Sequence, residues 1–408
     1  MPRWPYASAL SLALVCSSVA CGDDGLDGLG DDAGNGGVPT DVVDGGGAPL
    51  SGDDGGSPAP SSDAGAPSDA GAPSDAGTPG DAGAPDAGGG PDAGPAPGAS
   101  VRFVALGDSG KGNEGQQLVA DAILDVCVER GGCDFALMLG DNIYDTGVAD
   151  IDDAQWQEKF ELPYAALDFP FYSTLGNHDY GAPASLSFLG GVGIDPRRGA
   201  AQVDYGDVSQ KFRMPDTHYQ MTQGPLELVS LNTVSMFWTD LGFVESLTGF
   251  ADENDRMLGN LQAWEAASTA PWRIAFGHHP YLSNGPHGNA GTYDGVVLDG
   301  LIGSGTALKE FFETRVVGHF DVFLCGHDHS LQDLGTVNGT DLFVSGGGAT
   351  HTNFEGSNEV QWQADRRGFL LVEGDANELT FTFVVVPDAE DGASEPWSYA
   401  HSRTITRQ

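Results

Sequence analysis

Five short apolar runs in this chain each stop at a glycine that is followed by a side chain able to bind a cation. They read VRFVALGD, DFALMLGD, FPFYSTLGN, PWRIAFGH and DVFLCGH, and they deliver Asp108, Asp141, Asn177, His278 and His327. One such ending means only a turn, because Gly, Asp and Asn favour turns on backbone grounds alone. Five endings that keep selecting oxygen and imidazole donors point instead to one shared site. In GHHP both His278 and His279 are available; since every other donor directly follows its glycine, His278 is the ligand candidate. In GHDHS, His329 lies two residues beyond His327. On an extended backbone i and i+2 face the same way, so both imidazoles can enter one site while Asp328 points away.

These donors amount to two carboxylates, one amide oxygen and three imidazoles, with the Tyr144 phenol of GDNIYDTG as a further candidate. That is too many for one ion and suits two ions sharing a bridging carboxylate. Imidazole mixed with carboxylate fits iron, zinc or manganese, whereas an all-oxygen set would fit calcium or magnesium. The chemistry expected is hydrolysis at two metals about 3.5–4 Å apart.

The elements that must position such a site are also visible. The five runs are rich in Val, Phe, Leu and Ile and apolar on both faces, as buried strands under helices are. Helical patterning lies between them in EGQQLVADAILDVCVER and MLGNLQAWEAAS, so strand and helix alternate and the class is α/β. In that class the ligand site lies off the carboxyl ends of the strands. Glycine there lets the backbone turn sharply and approach a bound group.

The rest of the chain divides sharply by composition. Residues 1–21 begin MPRWPYASALSLALVCSSVA, with one cation at Arg3. The apolar run of about 14 residues is too short for a bilayer span and right for a signal h-region. Cys21 follows Ser18-Val19-Ala20, and the stretch resembles a bacterial lipobox, departing from it at Ser18, where Leu is usual. Lipidation of Cys21 would anchor the protein to a membrane, periplasmic or surface-exposed; ordinary secretion with cleavage elsewhere is the alternative. Residues 22–100 are almost all Gly, Ala, Pro, Ser and Asp, with fifteen Asp and no Lys or Arg. So few apolar side chains cannot offset the entropy of ordering, and a disordered tether of roughly 50 Å span is expected. Residues 101–408 are left for the catalytic domain. The net charge of −42, to which the folded part contributes, argues against nucleic acid as a partner. A monomer is the simplest expectation. Cys127 and Cys133 flank VERGG and could bridge in an oxidising compartment, while Cys325 in FDVFLC reads as a buried core thiol.

In this order, GDSG, GDNIYDTG, GNHDY, GHHP and GHDH resemble the motif series of the calcineurin-like metallophosphoesterases. More narrowly, GDNIYDTG, LGNHD, GHHPYLSNGPHG and LCGHDHSLQ resemble the purple acid phosphatases of the small tartrate-resistant type, across residues 101 to 350. The resemblance implies a sandwich of two mixed β-sheets flanked by α-helices, with FVSGGGATH and LTFTFVVVP supplying late strands. It implies Asp108, Asp141, Tyr144 and His329 on one metal, and Asp141, Asn177, His278 and His327 on the other, with Asp141 bridging. A phenol ionises near pH 10, so Tyr144 needs a strongly acidic ion, and Fe(III) is implied there beside divalent Fe, Zn or Mn. With Asp108, Asp141, Tyr144 and a hydroxide counted against a trivalent and a divalent ion, the site keeps a charge of about +1 for a phosphate dianion. His178 is implied as a hydrogen-bonding partner of the phosphoryl group, and His287 of SNGPHG as the acid for the leaving alkoxide.

The expectation is therefore an exported, membrane-tethered acid phosphatase that hydrolyses small phosphate monoesters by attack of a metal-bound hydroxide. A phosphodiesterase or nucleotidase on the same site is one alternative. A non-catalytic surface-binding lipoprotein is another. Residues 235–255 are a candidate lid, and His218, His319, His351 and His401 are expected to be structural or exposed.

Overall fold

The computed structural model describes residues 100–293, 305–388 and 394–407. The expected leader at 1–21, with Cys21, and the expected tether up to residue 99 lie outside the described residues. The strands run in chain order as β1 (Val101–Leu106), β2 (Phe135–Met138), β3 (Phe171–Ser173), β4 (Phe212–Arg213), β5 (Tyr219–Gln223), β6 (Leu226–Ser230) and β7 (Trp272–Phe276). They continue as β8 (Val322–Cys325), β9 (Leu331–Val337), β10 (Thr340–Ser345), β11 (Trp362–Ala364), β12 (Arg367–Gly374), β13 (Glu378–Val386) and β14 (Ser398–Thr406).

Two seven-stranded sheets result, in the orders β14-β13-β12-β1-β2-β3-β4 and β11-β9-β10-β8-β7-β6-β5. Both are mixed, as expected. In the first, β1 to β4 are parallel and β12 to β14 antiparallel. In the second, β6, β7, β8 and β10 are parallel, with β5, β9 and β11 antiparallel at the flanks. The five glycine-terminated runs are β1, β2, β3, β7 and β8, and the two late stretches lie in β10 and β13.

The sheets face each other across an apolar core. Phe343 of β10 stacks on Phe381 of β13 with ring centroids 4.6 Å apart. Polar ties cross the layer as well: Ser345 Oγ donates to the Ala105 carbonyl at 2.8 Å, and Tyr219 Oη donates to the Ser173 carbonyl at 2.8 Å. Because β12 pairs with β1 in the centre of the first sheet, residues beyond β10 are integral to the fold.

The helices are α1 (Glu114–Arg130), α2 (Asn177–Tyr180), α3 (Pro196–Val208), α4 (Thr233–Phe237), α5 (Gly242–Thr248), α6 (Phe250–Ala267) and α7 (Thr306–Phe311). Helix α1 is capped at its start by the Asn113 side chain and ends at Gly131, whose φ of 85° suits a residue without Cβ. A Cys127–Cys133 disulfide closes that end, and Cys325 is a buried free thiol. The candidate lid is two things rather than one. Helix α4 is entirely buried, whereas α5 buries no residue and exposes Phe243 and Leu247. No helix among the described residues is long and apolar enough to cross a membrane.

Candidate metal centre

The carboxyl ends of β1, β2, β3, β7 and β8 meet where the two sheets adjoin. In the turns that follow, three of the five donors themselves take left-handed backbone: Asp108, Asp141 and His327, with φ of 59°, 53° and 73°. Aspartate tolerates this region, but for His327 it costs on the order of 1 kcal/mol, a cost that clusters at functional sites. His327 and His329 do share the site, yet through this left-handed turn and not through the extended backbone expected. Gly140 shares that left-handed conformation, with φ of 87°, while Gly176 and Gly326 serve close approach. A Cβ on Gly176 would sit 2.1 Å from Asp141 Oδ1, and one on Gly326 would sit 2.4 Å from Asp108 Oδ2.

Asp108, Asp141 and His278 are buried and offer ligand atoms all within 4.8 Å of one another. The proton arithmetic around them favours a cation. His278 Nδ1 faces the Leu139 carbonyl at 3.0 Å, so it carries the proton and Nε2 presents a lone pair. Asn177 Nδ2 donates to the Gly191 carbonyl at 2.7 Å, which turns its Oδ1 toward His278 Nε2 at 2.9 Å. His327 Nδ1 lies 3.1 Å and Asp141 Oδ2 3.4 Å from the same Nε2. His278 Nε2, Asn177 Oδ1 and Asp141 Oδ2 thus converge as acceptors with no donor among them, and His327 Nδ1 adds a fourth in the tautomer protonated at Nε2. Burial, the largest influence on both, holds His278 and His327 below the ordinary histidine range. A metal ion satisfies such a set, and the residues fit one.

The second group of donors is contiguous with the first. Tyr144 Oη donates to Asp108 Oδ1 at 3.1 Å and lies 3.0 Å from His329 Nε2, which is 3.6 Å from Asp108 Oδ1. Thr350 Oγ1 sits 3.1 Å from His329 Nδ1 and fixes the ring. Burial first, and the charge of Asp141 second, push the Asp108 carboxyl well above the ordinary aspartate range. Asp141 goes the other way. Burial would raise it, but His278 and His178 outweigh that and hold it low.

His178 and His287 flank the donors. The backbone N–H of His178 donates to Asp141 Oδ1 at 2.9 Å, and its Nδ1 faces the Asp145 carbonyl at 2.6 Å, leaving Nε2 for other partners. The His287 ring lies 4.3 Å from that of His327, and the backbone N–H of His287 donates to Asp328 Oδ1 at 3.0 Å. Asp328 fastens the His287 loop through that bond. Asn284 and Asn358 exchange further bonds that tie the same loop to residues 355–358. His279 is held by Thr233 Oγ1 and stacks on Phe237, consistent with a flanking role.

Several supporting residues escaped the sequence reading. Asp179 is wholly buried and accepts from Asn142 N, Ile143 N, Gly176 N, Asn142 Nδ2 and Gln202 Nε2 at 2.7–3.0 Å, binding the turns of Asp141 and Asn177 together. Burial and the Asp141 charge raise its carboxyl to about 7. Its place two residues after a donor in GNHD was the available signal. Thr233 and Thr350 gave none, because each acts on a residue distant in sequence.

A buried carboxylate–imidazole cluster at the strand ends of two facing mixed sheets defines a phosphoesterase with a candidate metal centre. The calcineurin-like phosphoesterase family pattern matches residues 101–331, more than half of the chain, and the chain belongs to that family. It is 26% identical to purple acid phosphatase 3 of Arabidopsis thaliana across 70% of this chain and 74% of that one. It is also 26% identical to human tartrate-resistant acid phosphatase type 5, across 70% and 87% of the two chains. Among solved structures, the purple acid phosphatase PPD1 of yellow lupin superposes with a TM-score of 0.53 at 18% identity, over 77% of this chain and 55% of that one. GAP50, the anchor in the inner membrane complex of Plasmodium, gives 0.55 at 17% identity over 76% and 89%. At such identities the two structures share the fold.

Proposed function

We propose that this chain is an exported acid phosphatase that hydrolyses small phosphate monoesters at a dinuclear metal centre. The observation that carries the reading is the convergence of Tyr144, Asp108 and His329 beside Asn177, His278 and His327, with the Asp141 carboxylate near both groups. In this reading Asp108, Asp141, Tyr144 and His329 hold a ferric ion. Asp141, Asn177, His278 and His327 hold divalent Fe, Zn or Mn. Two ions there supply an activated water and neutralise phosphate charge.

The remaining work falls to side chains of this chain. With its Nδ1 proton engaged by the Asp145 carbonyl, His178 donates from Nε2 to a phosphoryl oxygen when its ring is protonated. His287 gives its proton to the departing alkoxide as the bond from phosphorus to the leaving oxygen breaks and the water oxygen bonds to phosphorus. The complete donor set argues against a purely adhesive role. The Cys127–Cys133 disulfide is in keeping with an oxidising compartment, hence with export, a lipid anchor at Cys21 and a tether over 22–100.

The test compares an alkyl phosphate monoester with the corresponding diester at acidic pH, before and after chelation. Monoester hydrolysis that is lost with the metals and returns with them supports the proposal. Preference for the diester would transfer the site to a phosphodiesterase, and activity indifferent to chelation would defeat the metal mechanism.

A further inference from the structure

Two of the chain's four lysines meet at one tyrosine, in a protein with a net charge of −42. Lys111 Nζ lies over the Tyr144 ring, 4.4 Å from its centroid. Lys159 Nζ donates to the Tyr144 carbonyl and to Gln155 Oε1. The placement of Lys111 is built in by the backbone. Gly110 N donates to the Asp141 carbonyl at 3.4 Å and Tyr144 N to the Gly110 carbonyl at 2.9 Å, so the turn after β1 is docked on the turn that carries Tyr144. A Cβ on Gly110 would fall 1.7 Å from the Asn142 carbonyl oxygen, so the two turns touch main chain to main chain. The buried Gln116 side chain then pins the far side, accepting from Gly112 N at 2.7 Å and donating to the Lys159 carbonyl at 2.7 Å.

We propose that Lys111 is a positioning residue that tunes the Tyr144–iron bond: its ammonium stabilises the electron-rich phenolate ring and so weakens electron donation from tyrosinate to the ion. A cation over an aromatic face is attracted by the ring's quadrupole, and a phenolate carries full negative charge in addition. Nζ sits over the ring, 4.4 Å from its centroid, so its charge acts directly on the π electrons of the donor. Holding the donor electrons lower raises the energy of tyrosinate-to-iron charge transfer. Weaker donation also favours the reduced ion. Lys111 thus shifts colour and potential together, in a direction set by its charge. This rests on the ferric assignment at Tyr144.

The test is the visible spectrum and reduction potential of the metal-loaded full chain, compared with Lys111→Met and Lys111→Arg. In Lys111→Met the band should move to longer wavelength and the potential should fall. Lys111→Arg, which keeps the cation, should restore both toward the parent values. A coloured protein whose band and potential stay put in Lys111→Met overturns this inference alone, as does an equal shift in both variants. A colourless parent protein holding two ions overturns the ferric assignment and this inference with it.

Discussion

Asp179 offers the sharpest test of how the site is held, because it touches no substrate and yet secures the turns of two donors. Its carboxylate accepts five hydrogen bonds, three from main-chain N–H groups and two from side-chain amides. In Asp179→Ala the three main-chain N–H groups and Gln202 Nε2 lose this acceptor in a buried place, while Asn142 Nδ2 keeps the Thr174 carbonyl and Gln202 Oε1. Each orphaned buried donor costs about 1–3 kcal/mol, and water entering the vacated space recovers part, so a net loss of about 3–5 kcal/mol is expected. Asp179→Asn keeps one oxygen but sets its NH₂ against incoming N–H groups, and about half that loss is expected. Urea unfolding of chelated protein measures the stability without a contribution from bound metal. A parallel titration with metal should show weakened binding, since Asn142 and Ile143 follow Asp141 directly. A loss below about 1 kcal/mol with metal affinity unchanged would refute the clamp.

Other outcomes follow from the same geometry. Gly176→Ala places a methyl 2.1 Å from Asp141 Oδ1 and 2.3 Å from Asp141 N, so it should cost about 1–3 kcal/mol and lower metal content, as read by elemental analysis. Chelated protein should release protons on metal addition, and more at pH 6 than at pH 8, because burial and the Asp141 charge push the Asp179 carboxyl up to about 7 and a cation on Asp141 would offset that charge. In the same chelated state Asp179 binds its proton more tightly folded than unfolded, so its contribution makes stability fall as pH rises from about 4 toward 7, measurable by urea midpoints. His287→Ala should retain both metals and lose kcat by about 10²–10⁴-fold for an alkyl phosphate, with a much smaller loss for an aryl phosphate that needs no acid.

The strand ends were legible because each is written in one contiguous stretch: an apolar run, a glycine, a donor. Helix α1 was legible for the same reason, its span coinciding with EGQQLVADAILDVCVER. The second histidine of GHDH was found by a spacing argument whose premise of extended backbone fails at His327, where φ is 73°. Local pattern reveals which side chains reach the site but not the dihedral route. What stayed hidden acts across the chain. Asp179 reaches Gln202 on α3, Thr350 orients His329, and Asn284 pairs with Asn358, contacts that exist only once the sheets have closed. The division of residues 235–255 was hidden too, since α4 is covered by groups distant in sequence, among them His279 stacked on Phe237, while α5 buries no residue.

The central claim is a ferric–divalent pair held by these seven residues with Tyr144 as the iron phenolate. Elemental analysis of the purified protein together with its visible spectrum, repeated on Tyr144→Phe, tests it most directly. The account predicts two ions per chain, one of them iron, and a visible band that disappears in Tyr144→Phe. A colourless, iron-free protein with two divalent ions and full phosphatase activity would contradict it.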